Sequence, residues 1–586
     1  MPIFAAPLRD HRFCLYELFD FENHRTLPGF EELSRDVVDQ VLEQSAKFNE
    51  QVVFPLNRNA DEQGCTLKDG VVTTPKGFKQ AYRDLCDGGW TALTCDPQDG
   101  GQGLPHMINI LFEEMMGGAC LSFGLFPGLT RGAYVAIAKH GSAEQRATYA
   151  PKLASGEWTG AMCLTEAHCG TDLGLLRTAA MPADNGSFAL TGTKIFISAG
   201  EHDIAANIIY LVLARLPDAP KGTKGISLFV VPKVLDDGTR NSVSCSTLER
   251  KMGIHGCPTC VMNFDGATGW LVGVPHQGLK AMFAMMNAER LAVGVQGLAV
   301  AEASYQNSVA YARERLQGRA PRGPLNGDKP ADPIIVHPDV RRMLMTQKAL
   351  IEGCRMLALD TAHYLDISER HAEAAVRQRA ETMVALLTPV VKAFLTDTGS
   401  DVANLGMQVL GGHGFIRDNG QEQLVRDARI TQIYEGTNGV QAMDFLGRKV
   451  LVDGGAGLEL FLKPIETAAA GSKSDSGLAP FARPVEEALT LVRSATAALR
   501  DRAAANPEEV GAAATDFLRL FALAAVGHYW HLAARAAQPK SNEDFYRAKL
   551  ATAQFYMDRI LPQTRALHGA IMAGAASVME LDAALF

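Results

Sequence analysis

One carboxylate in this chain stands where a reacting group would be useful. In the stretch from Arg426 to Gly447, Ile433-Tyr434-Glu435-Gly436-Thr437-Asn438 sets Glu435 between an apolar pair and the start of a helix. Asn438 followed three residues later by Gln441 has capping-box spacing, and Met443, Leu446 and Val450 continue at helical intervals. The carboxylate is therefore expected on a short loop beside the positive end of a helix dipole. Gly436 carries no side chain, so a ligand can come close to it. On composition alone an ordinary solvated loop glutamate is the simpler reading. A second carboxylate, Glu289, adjoins Arg290 on a helix-patterned stretch, as its ion-pair partner or as a channel wall. Cys257-Pro258-Thr259-Cys260 is a lone C-x-x-C with no second ligand pair, so these thiols read as core or strand residues and no metal site is expected. No G-x-G-x-x-G follows a strand pattern and no G-x-x-x-x-G-K-[ST] occurs, so neither a Rossmann nor a P-loop nucleotide site is indicated.

Several segments together resemble the acyl-CoA dehydrogenase family. I-Y-E-G-T-x-x-x-Q after the basic R-D-A-R-I run is similar to its catalytic signature. The resemblance makes Glu435 the base that removes the α-proton of an acyl thioester while the β-hydrogen passes to FAD. Met162-Cys163-Leu164-Thr165-Glu166-Ala167-His168-Cys169-Gly170-Thr171-Asp172 resembles x-x-x-T-E-x-x-x-G-[ST]-D. That match implies flavin contacts from Met162, Leu164, Thr165, Gly170 and Thr171, with Thr171 also meeting acyl-CoA. Lys194-Ile195-Phe196-Ile197-Ser198 resembles K-x-W-I-T, which implies Phe196 on the flavin ring, Ser198 near its N5 and Ile197 between them. Phenylalanine keeps the aromatic face and loses the indole donor.

Tyr311–Gly318 resembles Y-A-x-x-R-x-Q-F-G, which gives Arg315 to an FAD phosphate across a subunit boundary, as a guanidinium suits. The Phe of that motif is missing, and a Pro/Gly-rich insertion, Arg319–Pro333, follows. Gln408-Val409-Leu410-Gly411-Gly412-His413-Gly414-Phe415 resembles Q-V-L-G-G-x-G-F, implying that Gln408, Gly411 and Gly412 approach the cofactor of a partner subunit. Thr437 matches an FAD-contacting Thr. Gly436, Asn287 and Arg290 inherit substrate contacts, the last two toward the CoA-proximal part. Met282, Met285 and Met286 are either core filler or, because thioethers adapt to flexible ligands, the lining of an acyl channel. In a minority of the family the base precedes the substrate-contacting Arg, the position of Glu289 here; Glu435 is assigned because its whole surrounding motif matches.

The elements that must carry these residues can be read coarsely. Residues 1–30 form an aromatic and charged extension expected to pack on the main body. Residues 31–158 read as an α-helical domain: Leu33, Val37, Val41, Phe48 and Val52 approximate a helical stripe, and further helices fit Gly77–Asp87, Met107–Gly117, Tyr134–His140 and Ala143–Ala154. The Pro97–Gly103 turn and the Gly141–Trp158 segment resemble the family's N-terminal domain. Residues 159–274 read as a small β-sandwich or barrel, with strands at Phe188–Leu190, Lys194–Ser198, Ile208–Leu213, Ile226–Val231 and Val261–Phe264. Residues 275–452 form a helical bundle domain carrying Glu435, with helices at Gly278–Leu316, Asp339–His371, Ala374–Asp397 and Asp401–Val409. A Gly/Ala/Ser-rich linker spans 453–480, and an extra helical domain, 481–586, follows. The fold class is α+β multidomain, the acyl-CoA dehydrogenase fold with a further C-terminal helical domain.

Composition bounds the partners. The net charge of -9 argues against sequence-independent nucleic-acid binding, and against a DNA-binding protective flavoprotein. The 11 cysteines, odd in number and scattered, suit a reducing compartment. The N-terminus has no leader pattern, no uninterrupted apolar run long enough to span a bilayer is evident, and a cytoplasmic enzyme is expected. The C-terminal helices lack a strongly basic face, so membrane association is not expected. The resemblance implies FAD as cofactor, an acyl-CoA substrate oxidised to the trans-2-enoyl-CoA, electron-transfer flavoprotein as acceptor and a homodimer or tetramer. An acyl-CoA oxidase is the rival enzyme. A medium- or long-chain fatty acyl-CoA, as in the first step of β-oxidation, is the expected substrate, and 3-methylthiopropionyl-CoA the alternative.

Overall fold

The continuous apolar runs near Ile208 and Ile226 become strands buried on both faces, the pattern of strands at the centre of a closed sheet. In the structure, a computed structural model, residues 2–325 and 327–586 are described, without the side chains of 283–285, 287 and 288. A hairpin of β1 (Thr66–Lys68) and β2 (Val71–Thr73) precedes a seven-stranded sheet. Its strands are β3 (Trp158–Cys163), β4 (Ala179–Pro182), β5 (Phe188–Ser198), β6 (Asn207–Arg215), β7 (Ile226–Pro232), β8 (Val243–Leu248) and β9 (Thr259–Val272). Antiparallel pairings run β6–β7–β9–β5–β4, and β4 meets β6 again through Ala179 and Arg215, so the sheet closes into a barrel. β3 adds to β6 in parallel and β8 to β9. Tyr210, Val212, Phe229, Val231, Met262 and Phe264 fill the interior.

The chain divides into two compact units, residues 44–292 and residues 1–43 with 293–586. The first holds the barrel and the helices Phe78–Asp87, His106–His140 and Ala143–Ser155, the last opened by a Ser142–Gln145 capping box. The second is helical. Pro338–Arg370 and Ala374–Leu410 are packed neighbours, followed by Gln421–Thr431 and Asn438–Met443. It also holds most of helix Gly278–Glu314, and its further helices include Ala456–Ser472, Ala479–Ala505, Glu508–Ala537, Asp544–Phe555 and Gln563–Met572. Helix Glu508–Ala537 buries Phe517, Phe521 and Trp530, and the Trp530 indole donates to the Ala349 carbonyl at 3.0 Å.

The N-terminal extension is part of this helical unit. Phe13 packs edge-on against Phe545, and Asp10 accepts from both Arg355 and Lys549. Arg355 also reaches Glu302 at 2.7 Å and Lys549 reaches Glu352 at 2.7 Å. Burial opposes ionisation of Asp10, but Lys549 and Arg355 hold its carboxyl well below the usual carboxylate range.

Several expected boundaries differ. Helix Arg35–Phe48 buries Val38, Leu42, Ser45 and Ala46, whereas Val37 is 39% exposed. Adjacent apolar pairs at 37/38 and 41/42 offer two faces, and the one not foreseen is buried, with Asn49 donating to the Ser45 carbonyl. Met107–Gly117 and Tyr134–His140 are parts of one helix, whose regular conformation breaks only at Cys120 (φ -160°, ψ 97°). The helices expected at Ala374–Asp397 and Asp401–Val409 are likewise one. Phe188–Leu190 and Lys194–Ser198 belong to a single strand, and β3, β4 and β8 were not foreseen. Most of the expected linker 453–480 is helix Ala456–Ser472, with Leu458, Phe461, Leu462 and Ile465 buried. Among the described residues two helices, His106–His140 and Glu508–Lys540, are long and apolar enough to cross a membrane, against the expectation of no such run. Of their apolar windows 83% and 67% are buried inside the protein, as in core helices.

Candidate active site

The barrel unit brings two of the singled-out motifs together through one buried ion pair. Glu166, 5% exposed, accepts from Lys194 Nζ at 2.9 Å, from Thr178 Oγ1 at 2.6 Å and from the Arg177 and Thr178 amides at 2.9 and 3.0 Å. Lys194 Nζ donates also to the Leu164 carbonyl at 3.0 Å, and the Ile195 amide donates to the Thr165 carbonyl at 2.9 Å. The Thr165 loop is thereby tied to the end of β5. Burial opposes the Glu166 charge, but Lys194 and Thr178 bring its carboxyl down to about 2. Burial lowers the Lys194 ammonium, which Glu166 pulls back up.

Immediately past Lys194 the β5–β9 register shifts, and Phe196 takes a left-handed conformation (φ 60°). The bulge turns the Phe196 ring outward, 59% exposed, while Ile197 enters the barrel core. Met162 is also buried, so it and Ile197 offer a ligand their backbone only. Thr165 and Ser198 are half-buried, and Gly170 and Thr171 are exposed. Directly after Thr171 in the chain, a cleft of about 620 Å³ is lined by Asp172, Gly174, Leu175, Arg215, Lys221 and Thr223. Arg215 shapes it by donating to the Leu176, Gly174, Pro220 and Gly222 carbonyls at 2.7–3.0 Å.

The helical unit holds the Glu435 loop. Glu435 (φ 54°) and Gly436 (φ 86°) are left-handed in succession, which for the glutamate costs about 1–2 kcal/mol. Thr437 is the N-cap of the following helix, accepting from the Val440 amide at 3.4 Å; the cap expected at Asn438 is displaced by one residue. An N-cap residue lies outside the helical region, and Thr437 (φ -53°, ψ 154°) does so. The Asn438 side chain instead bonds Lys392, Thr396 and Asp397 of helix Ala374–Leu410. Gln441 reaches back to the Glu435 carbonyl at 3.5 Å, and Tyr434 donates to Gln296.

The remaining candidates fall into two groups. Arg315, Gln408, Gly411 and Gly412 are exposed, and Tyr311 and His413, which flank them in sequence, are joined at 3.0 Å. The insertion after Gly318 folds on buried Asp332, which accepts from the Ala320 and Leu325 amides at 2.9 and 3.1 Å. Arg290 is half-buried and Glu289 is 3% exposed. The side chains of Asn287 and Met285 lie outside the described residues. Met282 and Met286 are buried. Sequence reading passed over Lys194, Glu166 and Asp397; the first two sat inside quoted motifs as unassigned letters, and nothing local to Asp397 marks it.

This chain is similar to known proteins along its whole length. Residues 37–157, 161–267 and 276–450 match the N-terminal, middle and C-terminal domain models of acyl-CoA dehydrogenase, and 461–582 matches the model described as acetyl-CoA dehydrogenase C-terminal like. The chain belongs to the acyl-CoA dehydrogenase family and is an oxidoreductase acting on acyl-CoA. It is 42% identical to a 3-methylmercaptopropionyl-CoA dehydrogenase of Ruegeria pomeroyi over 97% of this chain and 98% of that one. It is 31% identical to a broad-specificity linear acyl-CoA dehydrogenase, FadE5, of Mycobacterium tuberculosis over 100% of both. Among solved structures, an acyl-CoA dehydrogenase complexed with FAD from Bacillus anthracis superimposes with a TM-score of 0.75 at 19% identity, over 94% of this chain and 90% of that one. The cofactor is FAD. The residues present fit it: an aromatic ring is turned out by a strand bulge, and the directions a Cβ would take at Gly170, Gly411 and Gly412 are open.

Proposed function

We propose that this enzyme oxidises a short acyl-CoA, with 3-methylmercaptopropionyl-CoA the first candidate, to the trans-2-enoyl thioester. The observation that carries this reading is the likeness to the Ruegeria enzyme, which runs nearly end to end. Glu435 is the general base for the α-proton. FAD, when bound, accepts the β-hydrogen and the two electrons. A thioester α-proton is weakly acidic, so the carboxylate must act in a place from which bound substrate excludes water. The left-handed turn at Glu435–Gly436 sets a residue without a side chain directly after the carboxylate-bearing one, and the Glu435 N–H is the donor to the enolate oxygen. Thr165, Thr171, Phe196 and Ser198, with the Met162, Leu164, Gly170 and Ile197 backbone, hold the flavin. Thr437 adds a contact to it. Thr171, Asn287, Arg290 and Gly436 hold the substrate. Arg315, Gln408, Gly411 and Gly412 serve the flavin of a second subunit in a homodimer, and electrons leave to an electron-transfer flavoprotein.

A second reading, a medium- or long-chain fatty acyl-CoA used in β-oxidation, is favoured by the likeness to the broad-specificity linear enzyme. A panel of acyl-CoA substrates from three to sixteen carbons plus 3-methylmercaptopropionyl-CoA, assayed with an artificial electron acceptor, separates the two. The highest kcat/KM is expected on the methylmercapto thioester. A maximum at long chains would give the second reading precedence.

A further inference from the structure

We infer that Asp397 is a positioning residue for Glu435, one carboxylate oxygen that fastens both feet of the loop from which Glu435 acts. The inference rests on Glu435 being the base. A non-glycine residue in the left-handed region, as Glu435 is, persists only where its surroundings over-determine it. Asp397 Oδ1 accepts from Gln432 Nε2 at 2.6 Å and from Asn438 Nδ2 at 2.7 Å. Gln432 lies three residues before Glu435 and Asn438 three residues after it, and the Asn438 amide donates to the Gln432 carbonyl at 3.1 Å. The loop is thus closed at its neck, and its two feet share Asp397 on helix Ala374–Leu410, where Asn438 is also held by Lys392 and Thr396.

Asn438 is suited to this place by polarity. Its oxygen accepts from Lys392 Nζ at 2.8 Å, and its NH₂ donates to Asp397 and to Thr396 Oγ1 at 3.0 Å. Lys392 and Thr396 are fully buried. A primary amide can face a buried cation with one end and a carboxylate with the other, whereas an aspartate there would oppose Asp397. Because Thr437 caps the helix, the Asn438 side chain is available for this bridge.

The test uses the FAD-loaded enzyme and the variants Asp397→Ala, Asp397→Asn and Glu435→Gln, reading kcat, KM, flavin content and thermal midpoint. Asp397→Ala is expected to lower kcat by about 100-fold, the scale on which a misplacement of about 1 Å acts, with KM and flavin content near those of the parent. Asp397→Asn keeps an oxygen that accepts both bonds and should restore most of kcat. Parental kcat in Asp397→Ala, or equal losses in the Ala and Asn variants, overturns the inference. If Asp397→Ala does not fold, Gln432→Ala and Asn438→Ser each free one foot of the loop; parental kcat in both overturns it as well. The control keeps two failures apart: an inactive Glu435→Gln beside a fully active Asp397→Ala sinks only the fastening, whereas a fully active Glu435→Gln removes the base and the inference with it.

Discussion

At the scale of single residues, Glu435 and Glu289 differ in more than their motifs. Glu435 is half-exposed on a left-handed loop, and Glu289 is buried within a helix beside Arg290. Glu435→Gln is expected to reduce turnover by at least about a hundredfold while FAD stays bound, the usual cost of losing a general base. Glu289→Gln should do far less, and the reverse pattern in steady-state kinetics would move the base to Glu289. The candidate ligand-binding side chains could be named from the sequence because motifs preserve residue type. The backbone that aims them was not. Nothing in Lys194-Ile195-Phe196 announces that a bulge turns the ring outward, and nothing in Glu435-Gly436 announces that the glutamate, as well as the glycine, is left-handed. The shift of the cap from Asn438 to Thr437 has the same origin: both residues cap helices well, and only the tertiary bonds of Asn438 decide between them.

At the scale of elements, the Glu166–Lys194 pair joins a loop after β3 to the end of β5, and both carry flavin candidates. Lys194→Met leaves a buried carboxylate without its cation and should destabilise the enzyme by about 3–5 kcal/mol, read as a shift in urea midpoint. The Glu166 carboxyl titrates near 2 against an ordinary 4.5, so its stabilising contribution is full above 4.5 and lost as pH falls toward 2. A Lys194→Met midpoint equal to the parental one would show that the hydroxyl and amide donors around Glu166 suffice alone. Element type was legible where periodicity was long, as in Pro338–Arg370 and Glu508–Ala537. It was not legible where glycines inside a buried helix imitated breaks, as in Gly117-Gly118 and Gly124 of His106–His140. The Ala456–Ser472 helix reads as a linker in sequence because its Ala/Gly/Ser composition hides Leu458, Phe461, Leu462 and Ile465, which it buries.

At the scale of the whole molecule, acid should weaken the fold. Burial lowers His202 and His528 to about 3 and His363 to about 4, from an ordinary 6.5. His202 accepts from the Ile204 amide at Nδ1 and donates from Nε2 to Thr159 Oγ1 at 2.9 Å, an arrangement for a neutral ring. The unfolded chain binds these protons near 6.5 and the folded protein does not. Stability therefore falls as pH drops from about 6.5 toward 4, by about 1.4 kcal/mol per pH unit for each histidine. Urea midpoints measured at pH 7.5, 6 and 5 should show the decline, and His202→Asn should flatten it; an unchanged slope in that variant would remove His202 from the account. The purified enzyme should be yellow and at least dimeric, since Arg315 and the Gln408–Gly412 segment are proposed to serve a neighbour's flavin. A monomer with full FAD occupancy by analytical ultracentrifugation would count against that arrangement.

The Asp10–Lys549 contact joins positions 539 residues apart. A ribosome delivers the first partner 539 residues before the second. Until then Phe13 and Phe21, fully buried in the finished protein, have no completed surface to cover them. The nascent helical unit must wait for Lys549, and a message broken between the codons of the two partners yields a chain that lacks this closure instead of a shorter enzyme.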